Sequence, residues 1–281
     1  MFFCSDADLE NYALYANVIK RIKPKRNITC YVKCESKTVS SYIEDVITRA
    51  REEAEVLKKI DTVHFDQMDL TVRMLMSDKC VFKSLKSSLN DLSQMDNVIS
   101  LGKINESIRN MHILILGVNE LTEVLLKHIA NDMTLCLKAN TKVSIMDKAV
   151  DSKMEAILDK NEGLKNALNL KAIDIGSSRN SLQEGLTKIK NEGDLSLIFM
   201  MDEDVVKSLK YLKTLTGYFG SLPKVIRNVS NIDLSYVLPK NSDNILVFGD
   251  VSQIMTSDIM IRESLDARAK SFNDSYNKAV E

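Results

Sequence analysis

No tryptophan, three prolines and nine glycines in 281 residues leave little that could break the chain into linkers, and no low-complexity stretch is present. Those absences exclude a disordered or collagen-like polypeptide. Histidine is scarce and dispersed: His64, His112 and His128 have no second ligand at metal spacing, so no zinc site is expected. Neither sign of charge dominates, with Lys+Arg 38 against Asp+Glu 39 and a net charge of −1. That balance gives no electrostatic case for a nucleic-acid partner. No apolar run approaches the ~20 residues that a bilayer-crossing helix needs, so direct membrane insertion is not expected. The opening Met1-Phe-Phe-Cys-Ser-Asp lacks the basic start and long apolar middle of a signal peptide. Cysteine is odd in number (Cys4, Cys30, Cys34, Cys80, Cys136) and forms no C-x-x-C. Cys30 and Cys34 lie too far apart along a strand for a disulfide. The set reads as reduced, mostly buried thiols of a cytoplasmic protein. A Ser/His/Asp set, a P-loop and an activated nucleophile are all missing, so an enzyme is not the expectation.

What is present is ordinary for a globular chain, 44% hydrophobic and 27% charged, with one informative stretch: Met111-His-Ile-Leu-Ile-Leu-Gly117-Val-Asn-Glu-Leu-Thr122. A buried-strand run ends at a glycine and gives way to helical periodicity at Leu121, Val124, Leu125 and Ile129. Dinucleotide-binding βαβ units open this way. The glycine permits the sharp turn, and the helix that follows aims free N–H groups at a phosphate. Here G-x-G-x-x-G has become G-x-N-x-x-T, with Asn119 and Thr122 at the second and third glycine positions. Apolar strands then alternate with helices: strand Lys142–Met146, helix Lys153–Leu168, strand Leu170–Ile175, helix near Ser181–Lys190, and strand Leu195–Met201. A helix with Val205, Leu209, Leu212 and Thr216 on one face, strand Lys224–Val229 and a short strand Asn244–Gly249 complete the series. This alternation predicts an α/β fold, a doubly wound parallel sheet of Rossmann-like type.

The opening residues repeat the end of that domain. Phe2-Phe-Cys-Ser-Asp6-Ala-Asp8 matches Ile198-Phe-Met-Met-Asp202-Glu-Asp204, with Tyr15 matching Tyr211 and Val32-Lys33 matching Ile226-Arg227. The repeated acids read as helix N-caps. A strand-helix-strand with no sheet to join is unstable alone. Either another chain completes the first unit, or the sequence is a fragment of a longer protein; the fragment is the expectation. The organisation is therefore residues 1–60, the C-terminal part of a first Rossmann unit with a connector helix (apolar face Val39, Tyr42, Val46, Ala50, Ala54, Leu57). Residues 61–110 follow as a strand-helix and linker, 111–250 as a second Rossmann domain, and 251–281 as a helical tail.

Taken together, these residues resemble the RCK, or KTN (TrkA-N), family of tandem Rossmann domains that regulate potassium channels and transporters. Asp61-Thr-Val-His-Phe-Asp-Gln-Met-Asp-Leu-Thr-Val-Arg-Met-Leu resembles the stretch after the first such domain. Phe248-Gly-Asp-Val-Ser-Gln-Ile-Met-Thr-Ser-Asp-Ile-Met-Ile-Arg-Glu-Ser-Leu-Asp-Ala resembles the tail of a bacterial subgroup followed by a ryanodine-receptor-like repeat. The resemblance implies a non-enzymatic, nucleotide-sensing regulatory module, cytoplasmic and a homo-dimer or higher oligomer. Its implied ligand is NAD(H) or an adenine nucleotide. Its implied partner is a membrane channel or transporter, or a fused output domain. By position, Gly117 forms the turn, Val118, Asn119, Glu120 and Leu121 offer amides to the phosphates, and Thr122 takes the third glycine's place. Asp147 accepts from the ribose, Asp174 and Ile175 lie beside the adenine, and Asp202 borders the crevice. Gly117 and Asp147 are 30 residues apart, longer than the ~20 of the usual fingerprint, which an insertion around Asp132–Asn140 accounts for. The alternatives are a degenerate Rossmann scaffold without ligand and an NAD(P)-dependent oxidoreductase.

Overall fold

The computed structural model describes residues 1–53, 55–77, 112–134, 141–176, 179–193, 195–229, 232–238 and 244–261. The linker part of the expected 61–110 segment, the expected insertion around Asp132–Asn140 from residue 135 on, and most of the expected tail helix fall outside them. The chain divides into two compact units, Met1–Thr71 and Val72–Glu281.

In the first unit, β1 (Phe2–Phe3), β2 (Ile28–Lys33) and β3 (Ile60–Phe65) form a parallel sheet in that order. Helix α1 (Asp8–Arg21) joins β1 to β2; α2 (Lys37–Glu53) and a 3-10 turn join β2 to β3, and α3 (Gln67–Ser77) follows, the division between the units falling within it after Thr71. Asp8 and Glu10 in the first turn of α1, with Lys20 and Arg21 in its last, suit the helix dipole. β3 pairs with β2 along its whole length, Ile28↔Ile60 to Lys33↔Phe65, so the strand read as part of the connector is a third member of the first sheet. The core gathers Phe3, Tyr15, Cys30, Val32, Ile43, Ile47 and Ile60. Val39 and Leu57 of the expected apolar face pack on this core together with Ile43 and Ile47, while Tyr42 is exposed, so the expectation is corrected at Tyr42. Val39, Ile43 and Ile47 are spaced four apart and so share one helix face, which Tyr42 does not.

The second unit holds β4 (His112–Leu116), α4 (Glu120–Thr134), β5 (Lys142–Asp147), α5 (Val150–Lys160), α6 (Gly163–Ala167), β6 (Asn169–Asp174), α7 (Arg179–Glu192), β7 (Leu195–Met200), α8 (Val205–Tyr218), β8 (Lys224–Arg227) and β9 (Ile245–Phe248). Two four-residue helices, α9 (Val251–Ile254) and α10 (Ser257–Met260), follow, at the start of the helical tail expected over residues 251–281. The single helix expected over Lys153–Leu168 is two, because Asn161 leaves the helical region and turns its side-chain amide onto the Ile157 carbonyl. All six strands are parallel, in the order β6-β5-β4-β7-β8-β9. Counted from β4 this is 3-2-1-4-5-6, the doubly wound Rossmann order, with its switch point between β4 and β7. Every residue of β4 is buried, as a strand covered on both faces requires.

The internal repeat survives in three dimensions, but its register is corrected. Met1 N donates to Thr29 O as Ile198 N donates to Pro223 O, and Cys34 N donates to Phe65 O as Asn228 N donates to Phe248 O. Met1-Phe2-Phe3-Cys4 therefore corresponds to Ile198-Phe199-Met200-Met201. Asp204 caps α8, accepting from Val206 N and Lys207 N. Its structural counterpart is Ala7, which makes no side-chain cap. Asp8 is the first helical residue of α1, and its carboxylate instead accepts from the amides of Glu35 and Ser36. Tyr15 and Tyr211 are likewise not equivalent. Tyr15 is in the first core, bonded to Thr62, whereas Tyr211 is half-buried beside Lys207.

Candidate functional site

Parallel strands all end on one side of the sheet, and in the second unit the turns after β4, β5 and β7 meet there. Gly117 ends β4 with φ +95, and a Cβ built on it would lie 3.0 Å from Asp202 N. Glycine is thus required twice, by the left-handed backbone and by the close approach of the β7 turn. Gly117 N donates to Met146 O at 2.9 Å and Met201 N donates to Leu116 O at 2.8 Å, which ties the three strand ends together.

Asn119 and Thr122, read from the sequence as losses, form a reciprocal cap. The Asn119 Oδ1 accepts from Thr122 N at 3.1 Å, and Thr122 Oγ1 accepts from Asn119 N at 3.4 Å. This is the logic of a capping box, with threonine standing where glutamate usually does. The Thr122 hydroxyl donates to Gly117 O at 2.9 Å and is fully buried. Asn119 Nδ2 also donates to Met201 O at 2.7 Å, crossing the switch point from the β4 turn to the β7 turn. Asn119 has no positive φ, so the backbone freedom that asparagine offers is not used.

Asp147, expected to face a ribose, is 5% exposed and already engaged. Its Oδ2 accepts from Val118 N at 2.9 Å and from Lys153 Nζ at 2.5 Å, and its Oδ1 accepts from Lys148 N at 2.7 Å. Burial pushes its carboxyl up, but these three donors outweigh burial and hold it below the usual carboxylate range. Immediately after it, Ala149 takes a left-handed conformation, φ 49, to open α5.

Asp202 pairs with Lys207, whose ammonium lies over the Tyr211 ring. Burial pulls Lys207 down, yet its bond to Asp202 and the nearby Asp147 charge hold it above the ordinary lysine value. Burial pushes the Tyr211 phenol up. The Glu203 carboxylate accepts from Arg227 at the end of β8. Sequence reasoning missed Lys153, Lys207, Tyr211 and Arg227. Lysines six residues after Asp147 and five after Asp202 carry no fingerprint, and only the turns show that they point back.

Of the residues expected at the site, the fold brings Gly117, Val118, Asn119, Thr122, Asp147 and Asp202 together. Glu120 is exposed at the start of α4, and Leu121 is buried in the core. Asp174 accepts from Gly176 N in its own turn, and Ile175 is buried, its N–H donating to Asp147 O. No group of His, Cys, Asp and Glu among the described residues could hold a metal ion. No described helix is long and apolar enough to cross a membrane. No protein-family model matches the chain, and no curated protein matches it.

Proposed function

We propose that this chain is a non-enzymatic interaction module of Rossmann type, resembling RCK/TrkA-N regulatory domains, whose former nucleotide loop is closed by its own side chains. One observation carries the reading: Asn119 occupies the switch point, spanning from the helix cap to Met201 O. A pyrophosphate in the usual place lies against the second glycine and the helix amides. Here the asparagine side chain takes that place and satisfies the third helical amide. Asp147, the ribose acceptor of the fingerprint, spends its carboxylate on Val118, Lys148 and Lys153. The module then acts through the surfaces it presents in an assembly, on a channel, a transporter or an attached domain, in the cytoplasm.

The nucleotide-sensing reading keeps one point in its favour. Two ammonium groups, Lys153 and Lys207, stand at the same strand ends, and Asp147 is within electrostatic reach of both. An adenine nucleotide or NAD(H) entering there has to displace Asn119 and draw on these lysines for its phosphates. Titration calorimetry of the full chain with NAD+, NADH, ATP and ADP separates the two readings. The closed-loop reading expects no saturable heat up to millimolar ligand. A micromolar Kd for any of the four, lost on Lys207→Ala, would establish sensing instead.

A further inference from the structure

The corrected register of the repeat puts a cation at the same place in each unit. Lys33 ends β2 as Arg227 ends β8, and Asp6 lies in the turn after β1 as Glu203 lies in the turn after β7. Both cations are buried, with side chains 9% and 10% exposed, and each meets the exposed carboxylate of its turn. Lys33 Nζ lies 3.6 Å from Asp6 Oδ1, and Arg227 Nη1 lies 3.1 Å from Glu203 Oε1. The units differ in what else the cation meets. In the first, Glu35 brings a second carboxylate to 3.3 Å from Lys33 Nζ. Its counterpart in the second is Val229, an exposed apolar residue with no side-chain acceptor.

The unit with fewer acceptors has the cation with more donors, since a guanidinium carries five N–H groups and an ammonium three. Arg227 Nη1 donates to Glu203 and, at 3.5 Å, to Met201 O, a carbonyl that Asn119 already serves at 2.7 Å. Among the described residues the buried Nε has no acceptor. A charge this far out of water is stable only when paired and hydrogen-bonded throughout. The first unit shows what completes such a site: a carboxylate from beside the strand end. We infer that Arg227 anchors a carboxylate brought by a protein partner, an acidic side chain flanked by apolar residues, in the role that Glu35 has in the first unit. The guanidinium matches the two oxygens of a carboxylate side by side. Val229 and Ile232 are exposed on the loop that leaves β8, and Asn228 holds that loop by donating from Nδ2 to Ile232 O at 2.8 Å. Apolar groups beside an arginine exclude water from it, the arrangement of an interface anchor and not of a site for a free anion. Glu203 competes for the same guanidinium and compensates its charge when the partner is away. This site gives the interaction-module reading a partner chemistry, and rests on it.

The Arg227 Nε–H signal, followed by NMR in the full chain with 15N-labelled arginine, reads the site directly. The probes are the capped peptide acetyl-Leu-Val-Glu-Leu-Val-amide, its glutamine analogue, sodium acetate and inorganic phosphate. The glutamate peptide is expected to shift the signal saturably, with a Kd about tenfold or more below that of acetate or phosphate, and the glutamine peptide to leave it in place. Val229→Glu supplies the chain's own carboxylate at an exposed position, so the core is undisturbed, and it should weaken peptide binding about tenfold; Glu203→Gln removes the competitor and should tighten it about threefold. No shift with the glutamate peptide, an equal shift with the glutamine peptide, or free anions binding as tightly as the peptide overturns the inference. So does an Nε–H slow to exchange in the free chain and unmoved by Val229→Glu, since the chain then satisfies Arg227 itself. Nucleotide binding in the calorimetry, with glutamate-selective peptide binding intact, would overturn the closed loop and leave this site standing; loss of peptide selectivity with no nucleotide heat would do the reverse.

Discussion

Replacing Asn119 by alanine removes two bonds with one change and leaves a small cavity at the switch point. The cap on Thr122 N is lost, which costs about 1 kcal/mol for an asparagine cap. The bond from Nδ2 to Met201 O is lost as well; that carbonyl end is buried and keeps only a long contact from Arg227 at 3.5 Å. Leaving a buried acceptor poorly satisfied adds about 1–2 kcal/mol. The expected total is about 2–3 kcal/mol for Asn119→Ala, and somewhat less for Asn119→Asp, which keeps the cap but cannot donate to Met201. Because the chain has two units, a single global unfolding free energy is the wrong readout. Native-state hydrogen exchange at the amides of Gly117, Thr122 and Met201 measures the effect where it acts. A change below 0.5 kcal/mol at all three would refute the claim that this side chain holds the turns together.

Ala149 holds a left-handed backbone, so Ala149→Gly is expected to stabilise the second unit by about 0.5–1 kcal/mol in denaturant melts, and destabilisation would contradict the strain. Glu192 is held down to about 2, first by its bonds from Lys142 and Lys171. Its stabilisation is complete above the ordinary glutamate range and is lost as pH falls through about 2. Glu192→Gln should therefore flatten the acid limb by on the order of 1 kcal/mol, these pairs being partly exposed. His112 is buried and its pKa lowered by that burial, so stability is full above about 6.5 and falls as the pH drops below it; a melting curve that does not change between pH 7.5 and 5.5 in His112→Gln but drops in the parent is the expected pair. The buried Lys224 ammonium donates to Phe219 O, Gly220 O and Leu222 O, closing the end of α8, while Asn244 also serves the latter two. Lys224→Met should cost about 1–2 kcal/mol and couple with Asn244→Ala by more than 0.5 kcal/mol in a double-mutant cycle; additivity would contradict the shared cap.

The strands and their order were legible because parallel strands buried on both faces read as continuous apolar runs: His112–Leu116 and Leu195–Met200 announce themselves. The half-repeat was legible too, but its register was not, since Asp6/Asp8 and Asp202/Asp204 share a spacing without sharing a position. Only the pairing of β1 with β2 fixes Ala7, not Asp8, at the head of α1. At the switch point the sequence showed which residues replace the glycines but not what they do. Asn119 and Thr122 look like damage to a phosphate loop until the capping bonds and the reach to Met201 are visible. That reach depends on the β7 turn, more than 80 residues away in the chain. The lysines that engage Asp147 and Asp202 were hidden for the same reason, because their partners come from turn geometry and not from any pattern along the chain.

The self-closed loop is tested most directly by following the backbone amides of Gly117–Thr122 and the Asn119 side-chain amide by NMR as NADH, and separately ATP, is added to the full chain. A loop held by its own side chains keeps those signals in place and slow to exchange at millimolar nucleotide. Saturable shifts centred on Val118, Asn119 and Leu121 at micromolar nucleotide would contradict it.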